Sequence, residues 1–204
     1  MKKIKIKKIS KINYRGNKYD IQVNKNHNYI ANGVLVHNCT VYQDYIHARS
    51  IDSKHHVSRD WVKALQGKIG YEIPEGFRIC GENLYAEHSI KYESLVSYFL
   101  VFSIWNEFNV CLSWKETEEW AELLGLKTVP VFYRGVFDRE AITKSFEEYC
   151  AGSKDEVEGY VVRVAESFSY GDYRRKVGKM VRTNHVQTDE HWMSKPVVKN
   201  VLIQ

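Results

Sequence analysis

The sequence predicts an α+β fold in two unlike parts. A small all-β segment covers residues 1–38, and residues 39–204 form an α+β domain of mixed or antiparallel sheets with flanking helices. Three observations predict this. Apolar and polar residues alternate through the first part, strand and helix patterns alternate through the second, and the charge changes sign between them. Residues 1–38 hold eight lysines and Arg15 against Asp20 alone, a net +8, while the remaining 21 basic and 24 acidic residues leave −3. The overall +5 and the pI of 8.9 are therefore averages over two different surfaces, and the second part has to hold any nucleic acid through local cations.

A length of 204 residues is enough to bury a real core, and 44% hydrophobic with 13% aromatic residues excludes a disordered or fibrous chain. The longest apolar run, Leu95 to Trp105, is interrupted by Ser97 and Ser103 and falls far short of the ~20 residues that span a bilayer, so no membrane partner is expected. The lysine-rich start has no continuous apolar stretch and does not read as a signal peptide. Cys39, Cys80, Cys111 and Cys150 are widely spaced without a C-x-x-C pair, which fits a reducing cytoplasm rather than a disulfide framework. The histidines at 55–56 and 185–191 have no supporting ligand spacing, so no zinc site is expected.

In the first part, Ile4 and Ile6, then Tyr19, Ile21 and Val23, alternate as half-buried strands do, and Asn32-Gly33 between Tyr29-Ile30 and Val34-Val36 is a hairpin turn signal. In the second part, Thr40 to Ser50 reads as a strand, and Ser58 as the cap of a helix carrying Trp61, Val62 and Leu65 that ends at Gly67 and Gly70. Phe77 to Ala86 and Tyr98 to Trp105 read as strands, the latter apolar enough for burial on both faces. Ser113 and Glu116 form a capping box for a helix through Trp120 and Leu124 that stops at Gly125. Val129 to Arg134 reads as a strand, and Asp138 caps a helix reaching Cys150. Gly159 to Ala165 and Arg174 to Arg182 complete the strands, with a short helix after Thr188.

The end of the first part carries chemistry in order. An asparagine amide can attack its own carbonyl and cleave the chain behind it, an adjacent imidazole can polarise that carbonyl, and a thiol immediately downstream can accept an acyl group. His37-Asn38-Cys39, preceded by Tyr19-Asp20-Ile21-Gln22-Val23 and His27 to Gly33, resembles the carboxyl-terminal end of an intein. The resemblance implies that Asp20 and His27 assist acyl transfer, His37 and Asn38 perform cyclisation, and Cys39 is the first extein residue. It also implies the carboxyl-terminal member of a split intein, with a complementary polypeptide as partner. The lysine excess would attract an acidic fragment.

Four strings of the second part resemble the nucleotidyltransferase motifs of ATP-dependent RNA ligases. Arg78 to Ala86, with His88, Ser89, Ile90 and Tyr92, is similar to motif III, whose glutamate, here Glu82, approaches the ribose. Phe99 to Trp105 resembles the next motif, with Phe102, or secondly Phe99, stacking on adenine. Glu158-Gly159-Tyr160-Val161-Val162-Arg163 resembles motif IV, so that Glu158 serves the divalent metal and Arg163 belongs to the nucleotide site. Lys179-Met180-Val181-Arg182 resembles motif V, whose lysine contacts the α-phosphate, and Lys176 is the alternative because Arg174, Arg175 and Lys176 leave the register open. Tyr42 to Ser58 resembles the segment after motif I, with Arg49 in the active site. Motif I itself, the Lys-x-Asp-Gly element that takes AMP, is absent.

These resemblances together imply a precursor that trans-splices into an RNA ligase using ATP and Mg2+, with RNA as substrate, in the cytoplasm of a host if phage-encoded. Alone, the chain is expected to be inactive as a ligase. Two other readings stand beside it: another nucleotidyltransferase such as a DNA ligase or a capping guanylyltransferase, and an inactive nucleic-acid-binding remnant.

Overall fold

A computed structural model describes residues 38–48, 56–87, 90–181 and 196–203. The expectations for residues 1–37, for Arg49, for the histidines at 55 and 185–191 and for a helix after Thr188 lie outside the described residues.

The described chain is α+β. β1 (Asn38–Val41) and β2 (Ile46–Ala48) form a hairpin where the sequence predicts one strand. Polar Gln43 and Asp44 turn the chain there, closed by Tyr42 N–H donating to the Tyr45 carbonyl (2.9 Å) and by stacking of the two tyrosine rings at 4.4 Å. α1 (Asp60–Ile69) follows a single 3₁₀ turn, Val57–Arg59. Ser58 is not its cap: His56 Nδ1 accepts from Ser58 N–H and caps the 3₁₀ turn, while Ser58 itself is buried. Gly67 sits inside α1 and Gly70 ends it.

β3 (Arg78–Asn83) and β4 (Phe99–Trp105) are the centre of the large sheet. Its order is β2-β1-β3-β4-β5-β8, where β5 is Val110–Cys111 and β8 is Phe168–Ser169. α2 (Trp114–Leu123) starts at the predicted capping box: Ser113 Oγ accepts from Glu116 N–H while Glu116 accepts from Ser113 N–H. It gives way at Gly125, φ +64°, a conformation that suits glycine. β6 (Lys127–Thr128) then pairs parallel with β4. No strand covers Val129 to Arg134, because Pro130 lacks the N–H a ladder requires. α3 (Arg139–Gly152) is capped by Asp138, which accepts from Glu140 and Ala141 N–H.

A separate two-stranded sheet pairs β7 (Gly159–Arg163) with β9 (Val177–Val181). The predicted strand from Arg174 begins instead as the helical turn α4 (Tyr173–Lys176).

The main core lies on one face of the large sheet. There Cys39, Val41, Ile79, Phe99, Val101 and Ile104 meet Val62 and Ile69 of α1 and Ala121 of α2. A second cluster on the other face joins Trp105, Cys111 and Phe168, with Cys80, Val164, Tyr170 and Val177 packed around it. That second cluster is where the small sheet is attached to the large one.

Candidate functional site

Register decides which residues share a face. β1 runs antiparallel to β3 with Asn38 opposite Glu82, Cys39 opposite Gly81 and Thr40 opposite Cys80. Directly opposed residues lie on the same side of a sheet and successive ones alternate, so Arg78, Cys80, Glu82 and Thr40 face away from the main core. Thr40 Oγ1 and Cys80 Sγ lie 3.8 Å apart on that side, and the Arg78 guanidinium stands 4.8 Å over the Trp105 ring. Glu82 is half-buried.

A bulge lies between Cys80 and Gly81: Cys80 opposes Ser103 while Gly81 opposes Val101, which leaves Phe102 without a partner across the ladder. A bulge re-aims a side chain. Phe102 is the one residue of β4 that is not buried. Phe99 is fully buried in the main core, its ring seated over Gly81, where an added Cβ would come within 2.4 Å of it.

The small sheet supplies the other half. Gly159 opposes Val181, Val161 opposes Lys179 and Arg163 opposes Val177, so Lys179, Val161 and Arg163 share one face of the hairpin. The opposite face packs through Tyr160 against Phe146 of α3 at 4.8 Å and against Phe132 at 5.6 Å. The glycine after Glu158 is required by space, since a Cβ at Gly159 would stand 2.1 Å from the Met180 carbonyl oxygen.

Arg163 ties this face to the large sheet. Its Nη2 donates to the Leu112 carbonyl (2.8 Å), its Nη1 to the Phe102 carbonyl (3.4 Å), and its charge lies over the rings of Trp114 and Phe168 at 5.6 and 5.5 Å. Lys179 is an exposed residue in the middle of β9, whereas Lys176 ends α4, where its carbonyl accepts from Val164 N–H (3.0 Å).

Both predicted glutamates act electrostatically on Tyr92. Burial, and then the carboxylates of Glu158, Glu82 and Asp155, push the Tyr92 phenol above its ordinary pKa, so the carboxylates of β3 and of the turn before β7 act on the same half-buried ring. Asp155 fixes the approach: its carboxylate accepts from Glu93 N–H (2.9 Å) and from Ser94 Oγ (3.1 Å). The stretch 198–203, which makes isolated bridges at Lys199 and Leu202, clamps the same loop. Asn200, 2% exposed, accepts from Tyr92 N–H (2.9 Å) and donates to the carbonyls of Leu84 (2.9 Å) and Ala86 (3.2 Å). Neither Asp155 nor Asn200 was singled out by motif. The signal for Asn200 is an amide that, with Lys199, interrupts the apolar residues Val197, Val198, Val201, Leu202 and Ile203.

Thus Glu82 and Glu158 both act on Tyr92, Arg163 and Lys179 share one face of the small sheet, and Lys176 ends a helical turn. Asp20, His27, His37 and Arg49 lie outside the described residues. Of the pair Asn38–Cys39, the backbone of Asn38 and the whole of Cys39 are described, and Cys39 is in the main core, 2% exposed.

Among the described residues no three His, Cys, Asp or Glu side chains form a metal-holding group, and no helix is long and apolar enough to cross a membrane. The half-buried carboxylates of Glu82, Glu158 and Asp155, which all act on Tyr92, are hard oxygen donors of the kind that Mg2+ takes alongside waters and substrate phosphates.

Residues 36–181, more than two thirds of the chain, match the RNA ligase family. A reverse gyrase of Methanocaldococcus jannaschii is 37% identical over 60 residues, 29% of this chain and 4% of that protein. A DNA topoisomerase 1 of Pyrococcus furiosus is 54% identical over 37 residues, 18% of this chain and 4% of that protein. The chain thus spans only 4% of the length of either curated relative. No solved structure matches it.

Proposed function

Because the chain belongs to the RNA ligase family, we propose that it is the precursor of an ATP- and Mg2+-dependent RNA ligase, completed by protein splicing at Asn38–Cys39 with a complementary polypeptide that carries the nucleophilic lysine. The observation that carries this reading is the pairing of Asn38 with Glu82. Splicing would replace Asn38 by the last residue of the partner, which would take its place opposite Glu82. The partner's chain would then run in beside Glu82, where an accepting lysine is needed. The sequence itself has no Lys-x-Asp-Gly. Stretches of 60 and 37 residues are shared with a reverse gyrase and a DNA topoisomerase 1, 4% of either protein, and a short piece common to differently named proteins is compatible with an inserted segment.

In the splicing step the Cys39 thiol takes the acyl group of the upstream extein from the intein's own first nucleophile, whose bond to that acyl group breaks and which receives the proton the thiol gives up. The Asn38 side-chain nitrogen then attacks its own carbonyl carbon, the Asn38–Cys39 bond breaks, and the freed Cys39 amine receives the proton. That amine attacks the thioester, forming the peptide bond and restoring the thiol.

In the ligase the residues of this chain bind and orient. Glu82 would receive the ribose, Phe102 the adenine face, and Lys179 the α-phosphate charge. Arg163, which already holds Phe102's carbonyl, would keep the hairpin and the large sheet in register around the nucleotide. Glu158 would hold Mg2+, which when bound neutralises phosphate charge.

Mixing the chain with its complementary half should remove residues 1–38 and join Cys39 to the partner's flank, read by mass spectrometry. The Asn38→Ala variant should arrest before cyclisation, and Cys39→Ala should block acyl transfer. Normal joined product from Cys39→Ala would refute the mechanism.

A further inference from the structure

We propose that the splice junction is latched inside the ligase sheet: β1 must leave the sheet before Cys39 can act, and its return afterwards withdraws the thiol and closes the domain. This rests on the splicing function proposed above. The junction peptide Asn38–Cys39 is part of β1, and β1 is an inner strand, paired with β2 at Cys39↔Ala48 and with β3 at Cys39↔Gly81. Cys39 is 2% exposed and Val41 is fully buried, both among Val62, Ile79 and Phe99. Below them Asn83, itself buried, donates from Nδ2 to the Ser58 carbonyl (2.9 Å), bracing β3 against the turn that precedes α1.

A thiol in that position has no approach for an acyl group, which is several atoms wide and carries a chain on its far side. Nor is it ionised. Burial pushes the Cys39 thiol up to about 12, with Arg59 opposing and Glu82 reinforcing that shift and the Asn83 side chain lowering it, and the thiolate is the nucleophile. Two states of the same strand therefore exclude each other. Docked, β1 completes the sheet that sets Glu82; undocked, it presents Cys39 to the intein.

The observed splicing rate should then be the chemical rate multiplied by the fraction of molecules with β1 open. Ile79 opposes Val41 on β3, 40 residues downstream of Cys39 in sequence, and does not belong to the junction. Ile79→Val should open β1 about 2- to 10-fold more often, and Val41→Ala about 10- to 100-fold. The test is carried out on the full chain. Iodoacetamide labelling of Cys39, followed by peptide mass spectrometry, reports opening, and the rate of joined product on mixing with the complementary half reports splicing. Both rates should rise by the same factor in each variant. The milder Ile79→Val carries the test if Val41→Ala fails to fold. Faster labelling with unchanged or slower splicing would overturn the latch, as would wild-type Cys39 labelling as fast as it does in urea. Absence of any joined product from the wild-type pair would instead refute the splicing reading beneath it.

Discussion

In the large sheet β4 buries every residue but Phe102, whereas neither β7 nor β9 of the small sheet buries a single one. The first is fixed by a hydrophobic core shared with α1 and α2. The second is joined to the rest by the small cluster around Trp105 and by directional bonds: Arg163 to the Leu112 and Phe102 carbonyls, and Asp155, on the approach to β7, to Glu93 and Ser94. Glu82 belongs to the first region, Glu158 and Lys179 to the second. The site is thus assembled from a half whose position is set by packing and a half whose position is set by latches, and damage to each should read out differently.

The largest effect is expected in the packed half. Phe99→Ala should cost about 3–5 kcal/mol of stability, because it empties the space that Gly81 leaves for the ring. Urea unfolding of the chain measures this, and a loss below ~1 kcal/mol would mean that β3 and β4 are not packed as described. In the latched half, Glu158→Ala should lower adenylylation by the spliced protein about 100- to 1000-fold while leaving splicing and the urea midpoint unchanged.

Gly159→Ala should come next. A Cβ 2.1 Å from the Met180 carbonyl oxygen forces β7 and β9 apart, displacing Glu158 and costing about 100-fold in adenylylation with little change in unfolding of the large sheet. Global unfolding by this substitution would remove the distinction between the halves. The smallest effect is Ser113→Ala, which breaks the capping box of α2 at a cost of about 1 kcal/mol and leaves ligase chemistry alone.

The same contrast explains what could be read from sequence. Ser113 with Glu116, Asp138, Gly125 and the apolar run of β4 announce themselves because their physics is local: caps, a left-handed turn, burial on two faces. The hairpin of β1 and β2 reads as one strand because its turn, Gln43-Asp44, contains neither glycine nor proline. Arg174 to Lys176 reads as strand because the helical turn there is only four residues long. Within the site, the glutamates stand out through the strings around them, while Asp155 and Asn200 act across 61 and 108 residues on the loop after β3, a relation carried by the fold alone. Burial of Cys39 was equally hidden, because a thiol placed for chemistry and a thiol placed in a core are the same letter.

Completion of the ligase by splicing is tested most directly by whether an unspliced complex can adenylylate its lysine. The chain carrying both Asn38→Ala and Cys39→Ala, mixed with the complementary half and shown to associate with it, should form no lysyl-adenylate with labelled ATP and Mg2+, while the spliced wild-type pair forms it readily. With the intein still in the connection, the partner's chain cannot take its place opposite Glu82, and a displacement of ~1 Å can cost ~100-fold. An unspliced complex that labels its lysine as fast as the spliced protein would show that association alone rebuilds the site, and would contradict the account.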